Sequence, residues 1–286
     1  MAPSTGDNLE PKGSPANPEH DASDRKMAGD GEESRDEAPF DLDPRDSAAR
    51  EPLPGRLPPL AIVALTLVIA AAAVAVSLRP HQAGGWSLWL GLGIPYLALG
   101  AYAAYLMFDE GTLVDRVTPR GGDITLGVLV AAALLFASWT LRANVAPAGS
   151  EWQGWVARIY LVLGDPSAIQ RSAALTIALL VVAGLQELTW RGMVQDAMER
   201  QLGVRAGWIV TAVLFTVATA PTLFTLRDPV AGLNPLAVVA ALGCGLAWGF
   251  LTRVAGRLWP AMFSHMAFLY FSAVQFHIPG LTPPPV

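Results

Sequence analysis

The chain has 286 residues, 52% of them hydrophobic and 15% charged, with a formal net charge of −5 at neutral pH. Residues 1–56 hold 14 Asp or Glu and 7 Lys or Arg, leaving 10 and 12 for the other 230 positions, so the acidic excess lies wholly in that first stretch. The remainder carries no basic patch or base-stacking module, which excludes a nucleic-acid partner, and its apolar runs point to the lipid bilayer as its surroundings.

Residues 1–56 are rich in Pro, Gly, Ser and Ala and poor in large apolar side chains. Such a stretch cannot bury enough surface to offset its ordering entropy, so it is expected to be a disordered acidic tail. A cleaved leader has a short basic start followed at once by its apolar core. Here the first apolar run begins near Leu57 and reads as a signal anchor or first span.

Seven apolar segments follow, most about as long as the roughly 20 residues a helix needs to cross a bilayer. They are 57–78, 86–108, 124–141, 172–190, 208–226, 235–254 and 260–277. Pro58 and Pro59 suit the start of the first. Between the third and fourth, the stretch from Glu151 to Leu163 carries Trp152, Trp155 and Arg158 and suits an interfacial helix. Lipid supplies no water to open backbone groups, so helix is the only state these runs can take. The expected fold is therefore all-α: a polytopic helical bundle over residues 57–286.

Basic residues alternate between the two sides of such a bundle. One side collects Arg45, Arg50, Arg56, Arg116, Arg120, Arg191, Arg200, Arg205, Arg253 and Arg257, and the other Arg79, Arg142, Arg158, Arg171 and Arg227. That bias places the N-terminus in the cytoplasm of a multi-pass cell-membrane protein. Gly245 and Gly249 have the small-xxx-small spacing that lets helices pack closely, within the bundle or between copies. The single cysteine, Cys244, lies in an apolar run, so no disulfide framework is available. No internal repeat is visible, which disfavours a transporter built from inverted halves.

Chemistry concentrates in Gly184-Leu-Gln-Glu-Leu-Thr-Trp-Arg-Gly-Met-Val-Gln195, which sets Gln186, Glu187 and Arg191 at membrane depth or at its edge. Ionisable groups there are costly and tend to face a protein interior or a polar cavity. Glu187 and Arg191 are four apart and can pair on one helix face. Taken alone, they make either an ion pair anchoring the end of a span or part of a reactive site. Asp196 and Glu199, farther on, read as solvated charges on a surface helix.

Residues 186–195 resemble the first motif of the CPBP family, also called the Abi or CAAX-protease-like family, in which Glu-Glu-x-x-x-Arg is followed by Gly and then Gln. Two later segments are similar to its other motifs: Leu214-Phe215-Thr-Val-Ala-Thr219, and Leu258-Trp-Pro-Ala-Met-Phe-Ser-His265-Met-Ala-Phe-Leu269. The resemblance covers about residues 170–277. It implies an intramembrane metal-dependent endopeptidase, with a glutamate as general base and two His with an Asn or Asp building the metal site. Glu187, Arg191 and His265 are then the catalytic candidates, and His265 the one candidate metal ligand. A membrane-embedded peptide or protein would be the partner.

The chain departs from that pattern at three positions. Gln186 stands where the catalytic Glu is expected, and an amide cannot take up a proton at ordinary pH. Thr219 replaces the second-motif His, and Leu269 the third-motif Asn or Asp. A catalytic metal needs at least two or three convergent protein ligands, and His277, 12 residues beyond His265, lies about 18 Å away on a continuous helix. Two readings follow: an endopeptidase impaired at its base and ligands, with zinc as cofactor only if hydrolysis is retained, or a non-catalytic binding or scaffold protein keeping the polar cavity.

Overall fold

Each apolar run becomes a helix, and the loops between them are short. The computed structural model describes residues 57–275; the acidic tail 1–56 and His277 lie outside the described residues. Among the described residues there is no strand. The helices are α1 (Pro59–Ser77), α2 (Trp86–Asp109), the short α3 (Leu113–Val117), α4 (Asp123–Val145), α5 (Gln153–Leu163), α6 (Pro166–Arg171), α7 (Ala173–Glu187), α8 (Gln195–Leu202), α9 (Val204–Thr219), α10 (Thr222–Thr225), α11 (Leu236–Ala255) and α12 (Trp259–Gln275). A π-helical segment, Leu188–Val194, joins α7 to α8 without a break.

Local chemistry sets several of these ends. Ser172 Oγ accepts from Leu175 N at 3.3 Å and opens α7, while Asp165 caps α6 in the same way. Gly256, at φ 63°, takes the left-handed turn that ends α11.

Six helices are long and apolar enough to cross a membrane, counting α7 through α8 as one 30-residue span. The seventh expected span is α12, 17 residues within the described range and at the short limit for a bilayer. The stretch expected as an interfacial helix forms α5, where Trp152 at the N-cap stacks on Trp155 of the first turn at 6.3 Å and only Val156 and Val162 are buried.

Packing follows the small residues. A Cβ on Gly245 would come within 3.3 Å of Ala212 Cα, so α11 lies close against α9. Gly249 faces Trp208 and Gln195. The small-xxx-small pair therefore serves packing within the bundle. α12 runs between α4 and α7 and so reaches the centre of the molecule. One apolar cluster surrounds Trp190, Trp248, Tyr96, Met107 and Phe215. A second gathers Leu88, Trp89, Leu179, Leu226 and Val274.

The charged side chains collect at the ends of the bundle. Arg200 holds Glu110 through both terminal nitrogens, at 3.0 and 2.6 Å, and also Asp196. Arg116 reaches Asp196 at 3.4 Å, and Arg257 holds Asp123. At the other end Arg158 meets Asp228 at 3.4 Å. This corrects the reading of Asp196 and Glu199 as simple solvated charges. The π segment carries the helix onward so that α8 packs on α9, which places Asp196 between two arginines and gives Glu199 a hydrogen bond from Gln195 at 2.8 Å.

Candidate functional site

The span Ala173–Leu202 has Glu187 at its middle, about 21 Å along the helix from Ala173. The charged patch is therefore buried within the bundle and does not mark the end of a span. Glu187 is 0% exposed and Arg191 1%. This also removes Arg191 from the set of interfacial arginines that the sequence places on one side. The helix changes to π geometry directly after Glu187, and such turns recur at functional positions because they re-aim side chains.

α12 supplies the third member. His265 Nδ1 lies 2.8 Å from Glu187 Oε1. With the carboxylate ionised, the imidazole donates through Nδ1–H, which fixes its tautomer. Arg191 Nε lies 3.3 Å from Glu187 Oε2, close enough for strong attraction but without the alignment of a hydrogen bond. Arg191 Nη2 donates to Gly245 O at 3.1 Å. The sequence candidates Glu187, Arg191 and His265 thus converge, although 78 residues separate the first and last.

Aromatic rings wall this cluster. Trp248 of α11 stacks on the His265 imidazole with centroids 3.8 Å apart, and its Nε1–H donates to Ser264 Oγ at 3.1 Å, holding the indole flat. The Arg191 guanidinium lies over Phe215 at 5.0 Å and over Trp248 at 5.6 Å, cation–π contacts that partly replace lost hydration. Trp190 packs edge-on against Phe215 and donates to the Tyr96 hydroxyl at 3.3 Å. Gln195 donates to Gly249 O at 3.3 Å and so ties the site to α11 one turn farther along.

The three substituted positions do not join this cluster. Gln186 is half-buried beside the Tyr96 hydroxyl. Thr219 Oγ1 donates back to Phe215 O at 2.9 Å, a helix-internal bond that consumes its hydroxyl. Leu269 packs in the second apolar cluster with Leu179 and Val274. Among the described residues none of them bonds to Glu187, Arg191 or His265.

Nor do the residues present fit a catalytic zinc. Among the described residues no three His, Cys, Asp or Glu side chains gather closely enough to share an ion. One imidazole and one carboxylate meet here, and each is the other's hydrogen-bond partner. The remaining carboxylate oxygen faces a guanidinium, whose positive charge would oppose a divalent cation.

Residues 168–271, from within α6 to late α12, match the family model described as type II CAAX prenyl endopeptidase Rce1-like. That segment is similar to this family and carries its likeness over about a third of the chain. No curated protein and no solved structure matches it. All the polar residues of the cluster fall inside the matched segment of this CAAX-protease-like membrane protein, and α1 to α5 lie before it. Trp248 and Ser264 carry no signal in the linear sequence as parts of the site. The one available hint is that Trp248 sits beside Gly249, where α11 must approach its neighbours closely.

Proposed function

We propose that this CAAX-protease-like membrane protein does not hydrolyse peptides by metal catalysis, and that its former reaction centre is a closed polar core joining α7, α11 and α12. The observation that carries this reading is the state of Glu187. Its carboxylate is fully buried and already engaged by His265 and Arg191. A general base must reach the water whose proton it takes. The neighbouring Gln186, which stands where the family has its catalytic glutamate, offers only an amide. We assign the chain the role of holding a membrane-embedded peptide or protein segment, with its N-terminus in the cytoplasm and the cell membrane as its site.

The test is the metal content and peptidase activity of the purified full-length protein, measured beside the triple variant Gln186→Glu, Thr219→His, Leu269→Asn. The unmodified chain is expected to hold no stoichiometric zinc and to cleave prenylated peptide no faster than Glu187→Ala. One zinc per chain, or cleavage abolished by Glu187→Ala, overturns the proposal.

A further inference from the structure

At the end of the bundle away from the Glu110–Arg200 network, three chain segments enclose a cavity of about 180 Å³. Pro80 and Ala83, in the turn between α1 and α2, form one wall, Arg158 and Leu161 of α5 the second, and Thr225 at the end of α10 the third. Gly84 N donates to Val162 O at 3.0 Å, which fastens the turn directly to the end of α5. Trp86 and Trp152 are exposed at this end, as interfacial aromatics are, and they set the cavity at headgroup depth. Most of its wall precedes residue 168, so it lies largely outside the segment that resembles the endopeptidases.

The lining is apolar except for Arg158 and Thr225. Arg158 meets Asp228 through Nε alone, at 3.4 Å, and its two terminal nitrogens have no partner among the described residues. The other Asp228 oxygen already accepts from Val230 N and Ala231 N. Thr225 Oγ1 and, in the adjoining turn, Gln82 Oε1 are buried with no hydrogen-bond partner among protein groups. Such atoms are unfavourable when left unmet. Arg79 and Arg227 stand next in the chain to the lining residues Pro80 and Leu226, and both are exposed. Of these three cations only Arg158 has a carboxylate partner among the described residues.

We propose that this cavity holds the headgroup of an anionic, hydroxyl-bearing phospholipid drawn from the surrounding bilayer. Its phosphate meets the free nitrogens of Arg158, its hydroxyls lie beside Thr225, and its acyl chains stay outside along the lipid-facing helices. Basic pockets between spans recognise anionic headgroups in this way, and a guanidinium suits a phosphate in charge and in geometry. The volume equals about six waters at roughly 30 Å³ each, room for a phosphate and a few attached atoms but not for a peptide segment. The surplus of positive charge disfavours a choline headgroup, which also brings no N–H or O–H for Gln82 Oε1. The site is separate from the Glu187–His265 core and stands whether or not that core hydrolyses anything.

Native mass spectrometry of the full-length protein, released from detergent containing phosphatidylglycerol, tests it. One phosphatidylglycerol per chain should stay bound, and phosphatidylcholine should not. Arg158→Gln should lower the occupancy at least about five-fold, the worth of one basic side chain near a membrane surface. Ala83→Leu, which fills the cavity and alters no charge, should lower it as much. Arg171→Gln removes another cation whose side chain is 74% exposed, and should leave occupancy unchanged. Glycerol 3-phosphate at the same concentration should not be retained. Equal retention of the two lipids, or occupancy unaltered by Ala83→Leu, overturns the proposal, and retention of glycerol 3-phosphate as strong as that of the lipid overturns its source in the bilayer. If Arg158→Gln does not fold, Ala83→Leu decides.

Discussion

Arg191 shows how a charge is accommodated at the centre of a bundle. It has one carboxylate at 3.3 Å, one glycine carbonyl at 3.1 Å and two aromatic faces, and it is 1% exposed. Removing one member of a buried pair leaves the other charge uncompensated, which costs about 3–5 kcal/mol, while replacing both is far milder. Arg191→Met should therefore lower stability by about that amount, and Glu187→Gln with Arg191→Met should recover most of it. Unfolding of the detergent-solubilised variants checks this. Equal losses in the single and double variants would mean that the pair contributes nothing as a pair. Sequence spacing alone gave the Glu187–Arg191 pairing, because four residues set two side chains on one helix face. The His265 contact needed the family resemblance to suggest it, since nothing local links α7 to α12. The Trp248 stack had only the neighbouring Gly249 as a hint, because it depends on how far α11 sinks between its neighbours.

Among the elements, the spans were the most legible, since apolar length decides them in lipid. Their ends were less so. The fourth run looked finished at Trp190, where charge appears, yet the helix continues to Leu202 through the π segment. Hydropathy cannot distinguish a charge at the edge of a membrane from a charge buried by other helices, and that is why Asp196 and Glu199 were misplaced. Glycines show how closely these elements fit. A Cβ on Gly207 would sit 2.6 Å from Glu199 Cα, whereas one on Gly243 meets nothing within 4 Å. Gly207→Ala must push α8 off α9 and should cost about 3 kcal/mol. Gly243→Ala should stabilise α11 by up to about 1 kcal/mol, the helix-propensity difference. Melting temperatures that moved the same way for both would contradict this packing.

For the whole molecule, ionic contacts fasten each end. At the end away from the Glu110–Arg200 network, the backbone N–H groups of Ala231 and Val230 and the Arg158 guanidinium hold the Asp228 carboxyl below the usual range. A lowered carboxyl pKa stabilises the fold above the unfolded value, and that contribution is lost as pH falls through the lowered one. Stability should therefore drop below about pH 4, and Asp228→Asn should flatten that acid limb in a pH series of unfolding midpoints. The π segment has a consequence for the molecule as well. It holds one residue more than an α-helical stretch of the same rise, and that extra residue sets the phase between the two halves of the central span. Glu187 must point at α12 while Gln195 points at α11. Deleting any one residue from Leu188–Val194 would leave both halves helical but turn one against the other, so that no rotation of the span satisfies both neighbours. In this turn the number of residues matters as well as which residues they are.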